Sequence, residues 1–145
     1  MDDDDPLSIA LAKDHADWAR RHLETDVVAW LTTVAPDGRP QSSVISFLRD
    51  GPTIFFYSMP DTPKLRNIAS SPLVSFHLQS DLYGDHLLVI EETAEIDPSI
   101  LPSDEHPAYR AKYVEPLAHW GMDETKTARE FSVPVRIRPT RVRVA

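Results

Sequence analysis

The feature that most restricts this chain is its punctuation. Three turn signatures, Pro36-Asp37-Gly38, Asp50-Gly51-Pro52 and Tyr83-Gly84-Asp85, each separate runs rich in β-branched and aromatic residues. A turn this short joins antiparallel neighbours, whereas a parallel pair needs a crossover of a dozen or more residues. The pattern therefore predicts strands over 27–34, 41–48, 53–58, 73–78 and 86–96, with a sixth over 132–144. In that last run the apolar positions shift from odd (Val133, Val135, Ile137) to even (Val142, Val144), so a bulge or an edge position is expected near Pro139. Short helices are expected between the strands. One covers 14–23, with Trp18, Ala19, His22 and Leu23 at helical spacing. A second follows Asp61 or Thr62 as N-cap, with Pro63 suited to the first helical position and Ser70-Ser71-Pro72 as the stop. A third region spans about 108–131, breaks at Gly121 and follows a proline-rich connector over 97–107. Six strands mostly in hairpins make an antiparallel barrel or an α+β sandwich, mainly β, and not a doubly wound parallel sheet.

A length of 145 residues with 41% hydrophobic content suits one domain with its own core. Residues 1–8 are read as a disordered acidic tail and 9–145 as the single domain. The absence of cysteine excludes disulfides, thiolate nucleophiles and cysteine-held metals. A net charge of −8 argues against a general affinity for nucleic acid. No segment approaches the ~18 apolar residues of a membrane helix, and the acidic start is the reverse of a basic signal-peptide n-region. A cytoplasmic protein with no membrane partner is expected.

The segment from Tyr57 to Asn67 carries the most chemical information. A strand end there feeds a helix N-terminus, whose free N–H groups and dipole favour an anion. Lys64 in the first turn opposes that dipole, an inconsistency that a bound phosphate would repair. Asn67 shares its face, and Ser58 offers a hydroxyl at the strand end. A capped surface helix with a solvated lysine is the competing reading.

Other chemistries lack a starting point. The six histidines show no H-x-x-x-H pair, so no metal is expected. There is no G-x-S-x-G elbow, no P-loop and no G-x-G-x-x-G fingerprint. Glu91, Glu92 and Glu95 read as solvated edge charge, because adjacent strand residues point to opposite faces. Arg136, Arg138, Arg141 and Arg143 read either as an anion-binding stripe or as edge protection and charge neutralisation. Trp18, Trp30 and Trp120 read as packing residues.

Taken in order, Trp30-Leu31-Thr32-Thr33-Val34, Pro36-Asp37-Gly38-Arg39-Pro40-Gln41-Ser42-Ser43-Val44, Asp50-Gly51, Lys64-Leu65-Arg66-Asn67-Ile68 and Ser71-Pro72-Leu73-Val74-Ser75 resemble the pyridoxamine 5′-phosphate oxidase-like split β-barrel flavin and deazaflavin proteins. The closing run from Ser132 to Arg143 resembles the coenzyme F420-dependent branch of actinobacteria. The resemblance implies a six-stranded antiparallel split β-barrel of the FMN-binding type, forming a homodimer with cofactors in grooves between the subunits. It implies that Lys64, Asn67 and Ser58 hold the cofactor phosphate, and that Gln41, Ser42, Ser43 and Val44 run beside the tricyclic ring. The activity implied is hydride transfer between F420 and a small electrophile such as a quinone or enone, with catalytic residues unassigned. FMN is the alternative cofactor, in an oxidase or flavin reductase, and a cofactor-binding module without turnover is the other alternative. Thr62 stands where flavin-oxidase members often carry an arginine, which weakens the case for FMN. The C-terminal substrate motif of pyridoxamine phosphate oxidation is not found.

Overall fold

In the computed structural model, which describes residues 4–145, the elements run α1 (Pro6–Leu11), a 3₁₀ turn (Asp14–Ala16), α2 (Asp17–Thr25), β1 (Ala29–Val34), β2 (Pro40–Ile45), β3 (Leu48–Asp50), β4 (Thr53–Ser58), α3 (Pro63–Ser70), β5 (Leu73–His77), β6 (Leu88–Ile96), α4 (Pro107–Trp120), α5 (Glu124–Glu130) and β7 (Val133–Val144). All seven strands belong to one sheet in the order β2-β1-β5-β6-β7-β4-β3, and every pairing is antiparallel. The hairpin turns lie where the turn signatures put them. Gly38, Gly51 and Gly84 take the positive φ that such turns require.

The strand count is seven where six were expected. The run expected as one strand over 41–48 breaks at Ser46-Phe47 into the end of β2 and the start of β3. These two strands are opposite edges of the sheet, yet only two residues separate them. The sheet must therefore curl until its edges face each other, as in a split half-barrel, and Ser46-Phe47 crosses the seam.

Backbone groups at such a seam have no ladder partner, and burying them unpaired would be costly. Helix α4 supplies the partners. The Tyr113 hydroxyl accepts from the Phe47 N–H (2.8 Å) and donates to Val27 O (2.7 Å), with Phe47 O at 3.0 Å. Lys112 Nζ donates to Phe47 O (2.9 Å) and sits 3.7 Å from the Phe47 ring centroid. Burial pulls this lysine down to about 8.

Inside the curl, Leu31, Phe47, Ile54, Phe56, Phe76, Leu88, Ile90, Val135 and Ile137 form the centre of the core, all fully buried. Every residue of β4 is buried, because its outward face is also covered. There Phe55 and Tyr57 join Ile100 in a second apolar cluster with Tyr109 and Phe131, beneath α4 and α5. The long helical region does break at Gly121, whose φ of 67° ends α4 in a left-handed cap.

Two further expectations need correction, and the one about the last strand is resolved. The acidic tail is shorter than 1–8. Asp5 caps α1 by accepting from Ser8 N (2.9 Å), and Leu7 and Leu11 are buried. Residues 1–3 lie outside the described region. Strand β7 lies between β6 and β4 as far as Ile137 and is one-sided only beyond it. The expected irregularity is a bulge, with Glu91 paired to Arg141 but Glu92 to Pro139. Its arginines are mostly consumed in neutralisation. Arg136 bridges Asp97 (2.6 Å) and Asp50 (2.9 Å), Arg138 meets Glu95 (2.8 Å), and Arg141 lies 3.7 Å from Glu91. Finally, Glu92 is not solvated edge charge. It faces the core and is 2% exposed.

Candidate functional site

The connection from β4 to α3 is held by a short chain of hydroxyls. Ser58 donates to Met59 O (2.8 Å), so its contact with Thr62 Oγ1 (3.0 Å) uses the Thr62 proton, and Thr62 Oγ1 accepts from Leu65 N (3.4 Å). Thr62 is thus the N-cap of α3. Asp61 beside it takes a φ of 61°, a strained conformation for any residue but glycine, though one that aspartate tolerates better than most. Its carbonyl accepts from Arg66. Ser58 itself is fully buried, and its hydroxyl is spent on this turn. It fixes the helix start and is not brought to the groove.

Lys64 is brought there. It is half-buried, and burial holds its pKa below the ordinary lysine value. Among the described residues it has neither a hydrogen bond nor an ion pair, and it lines two cavities. The first is an open groove of about 440 Å³ formed by Thr33, Gln41, Ser42, Ser43, Pro63 and Lys64. Asn67 is not in its wall. It is buried (4% exposed), and its Nδ2 donates to Thr33 Oγ1 (3.0 Å) and Gln41 Oε1 (2.7 Å). Both amide protons are therefore used to lock α3 onto β1 and β2 and to aim Gln41. Ser42 pairs with Thr32 across the hairpin (2.7 Å). Because β2 is an edge strand, its outer backbone groups have no strand partner.

The second cavity is more enclosed, about 290 Å³, and lies between β2, β4 and the α4–α5 pair. Val44 contributes here and not to the groove. Its aromatic wall is a row of rings. Tyr57 meets Tyr109 edge-on at 4.9 Å between centroids, and Tyr109 stacks on Tyr113 at 4.5 Å. Trp120 and Phe131 extend the wall, so Trp120 lines a cavity and is not plain packing. Burial raises all three tyrosine pKa values, so these phenols remain protonated at neutral pH. Arg110 and Glu124, both lining the cavity, form an ion pair that joins α4 to α5.

Sequence reasoning located Lys64 and the 41–44 strand but missed this wall. The available signal was the i, i+4 pair Tyr109 and Tyr113, which places two rings on one helix face. What the sequence could not show is that β4 presents Tyr57 to the same space.

Residues 17–144 match the family model of pyridoxamine 5′-phosphate oxidase. The chain belongs to that family. No curated protein sequence matches it. Among solved structures, this pyridoxamine 5′-phosphate oxidase-family chain is similar to an F420 reductase at 25% identity, with a TM-score of 0.63 over 86% of this chain and 94% of the other. It is similar to a putative pyridoxamine 5′-phosphate oxidase from Listeria innocua at 26% identity, with a TM-score of 0.61 over 88% and 95%. HutZ, the heme storage protein from Vibrio cholerae, shares the fold at 16% identity, with a TM-score of 0.62 over 88% and 93%. The family and the split-barrel fold are thereby shown, and no helix among the described residues is long and apolar enough to cross a membrane.

Proposed function

We propose that this protein is an F420-dependent reductase. The observation that carries the reading is the position of Lys64, an unpaired and partly desolvated cation between a polar groove and an aromatic cavity. That arrangement suits a molecule with an anionic tail and a flat apolar head. F420 has both, and so does FMN. The choice of F420 is supported by the similarity to an F420 reductase and by Thr62 at the helix cap, where a second cation for FMN would be expected.

Lys64 would hold the phosphate by a charge-assisted contact. The residues 41–44 would lie along the ring, offering the unpaired backbone groups of an edge strand. Gln41 is pre-aimed by Asn67, which lowers the ordering cost of any contact it makes. Bound there in its reduced form, F420 would supply a hydride to a small electrophile such as a quinone or enone and leave oxidised. The residues of the chain contribute placement and exclusion of water. The buried phenols stay protonated and cannot act as bases, and Tyr57 and Tyr113 already give their protons to the carbonyls of Leu101 and Val27, so no general base is assigned.

A homodimer belongs to the same proposal. Trp30 (36% exposed) and Val44 (48% exposed) are cross-strand neighbours on the outer face of β1 and β2, beside the groove, and a second copy seated on them would close it.

Titrating the protein with F420 and with FMN at matched concentrations, followed by ring fluorescence, tests the reading. F420 should bind at least tenfold more tightly. Tighter FMN binding would move the protein to the oxidase or flavin-reductase alternative. With F420 bound, failure to oxidise reduced F420 against a panel of quinones and enones would leave a binding module.

A further inference from the structure

Among the described residues, Glu92 is the carboxyl group with both oxygens buried and without a hydrogen-bond partner, and it lines neither the groove nor the cavity. Along β6 the side chains of Leu88, Ile90, Glu92 and Ala94 are buried while those between them are more exposed, so Glu92 points into the barrel among aliphatic neighbours. Neither of its oxygens has a hydrogen-bond donor among the described residues. Paired against it are Val74 on β5 and Pro139 on β7, at the bulge. A buried carboxylate without a partner is among the most costly groups a core can hold, and the ordinary escape is to keep the proton. Burial alone raises its pKa, well above the usual carboxylate range.

Among the described residues, its surroundings offer no compensating charge. Facing inward from β5 are Val74 and Phe76, and from β7 Val135, Ile137 and Pro139, none of them titratable. His77 and the β7 arginines lie on the other faces of their strands, as do Glu91 and Glu95, which meet Arg141 and Arg138. Helix α3 carries Lys64 at the two cavities and exposed Arg66 bonded to Asp61 O. Helix α1, packed on β7, has Asp5 at its cap.

Glu92 is also close to the base of the site. Helix α3 packs on both β1 and β6. The chain leaving it is tied to β6 by Ala94 N donating to Pro72 O (2.9 Å), and two residues later Val74 pairs with Glu92 itself. Any outward movement of Glu92 therefore disturbs the segment from which α3 is hung.

We propose that Glu92 is a proton-sensing element beneath α3: it packs as the neutral acid, and loss of its proton loosens α3 and with it the groove. The sign follows from linkage. An acid that binds its proton more tightly when folded makes stability fall as pH rises from its ordinary pKa through its folded one. The proposal depends on the packing of α3 and holds whichever cofactor binds.

The test uses the full chain without cofactor, so its failure is separable from failure of the F420 reading. Thermal unfolding of wild type and Glu92→Gln is compared from about pH 5 to about pH 9, together with hydrogen exchange of the α3 amides normalised to intrinsic rates. The folding equilibrium of the wild type should fall by up to about tenfold per pH unit relative to Glu92→Gln. The gap between the two melting temperatures should widen by roughly 3–6 °C per unit. Protection of α3 should drop with pH in the wild type only. Parallel melting profiles would overturn the proposal, and so would a widening gap with unchanged α3 protection. Should Glu92→Gln fail to fold, infrared spectroscopy of the wild type decides, since a protonated carboxyl stretch at neutral pH is required and its absence overturns the idea.

Discussion

The groove and the cavity meet at Lys64 but are made in different ways. The groove comes from a strand, a turn and a helix start within one stretch of chain, plus one hairpin, and its working groups are polar and close to the surface. The cavity draws on Val28, Val44, Tyr57, Ser103 and the whole α4–α5 pair, and its walls also seal the barrel. The difference teaches that the groove can be altered without unfolding the protein, whereas the cavity cannot. Function and stability are separable in one region and fused in the other.

The largest effect should therefore come from the cavity wall. Tyr113 is 1% exposed and its hydroxyl satisfies the seam at Phe47. Tyr113→Ala should cost about 3–5 kcal/mol by the loss of a buried ring, measured by urea unfolding. Tyr113→Phe keeps the ring and should cost about 1–3 kcal/mol, because the Phe47 N–H loses its partner. A loss below about 1 kcal/mol for the alanine variant would break the comparison, since the wall would then be dispensable.

Lys64→Ala should show the opposite profile. The cofactor dissociation constant should rise about tenfold or more, as for a charge-assisted contact of ~1.5–3 kcal/mol. Stability should stay within about 0.5 kcal/mol of wild type, because the lysine makes no contact that the fold needs and opposes the helix dipole. Unchanged affinity in the presence of F420 or FMN would remove Lys64 from the site.

The same division explains what was legible in the sequence. Turn residues, caps and β-branched runs act over a few positions, so the hairpins, α3 and the break at Gly121 could be read directly. The bulge near Pro139 was visible as a phase slip, since strand faces alternate strictly. The seventh strand was not visible, because the break at Ser46-Phe47 has no local turn chemistry and exists only because the sheet closes on itself. Glu92 was misread for a similar reason. Its polarity pointed outward, while the alternation of Leu88, Ile90 and Ala94 on the same face pointed inward, and the alternation was the stronger signal. Ser58 and Asn67 were read as phosphate ligands, whereas the structure commits the Ser58 hydroxyl to the turn and the Asn67 amide to Thr33 and Gln41. Whether a polar group faces a ligand or its own backbone depends on its partners, which spacing does not reveal.

Gln41→Ala should give a smaller effect that sharpens the contrast. Asn67 Nδ2 would keep Thr33 as a partner and lose only Gln41, at an exposed strand edge where water can replace it. A stability change of about 0.5–1 kcal/mol is expected, with cofactor affinity reduced several-fold, less than for Lys64→Ala. An effect on affinity equal to that of the lysine would make Gln41 a direct anchor.

The smallest effect should come from the cavity mouth. Arg110 and Glu124 sit on different helices, and their side chains are 55% and 37% exposed. A pair this wet gains little, because solvent screens the attraction and two long side chains must be held still. A double-mutant cycle with Arg110→Gln and Glu124→Gln should therefore return a coupling of about 0–1 kcal/mol that shrinks as salt is added. A coupling near 2 kcal/mol that resists salt would mean the pair is dry in solution. The cavity would then be closed at its mouth, and the cofactor ring could enter only from the groove side past Lys64.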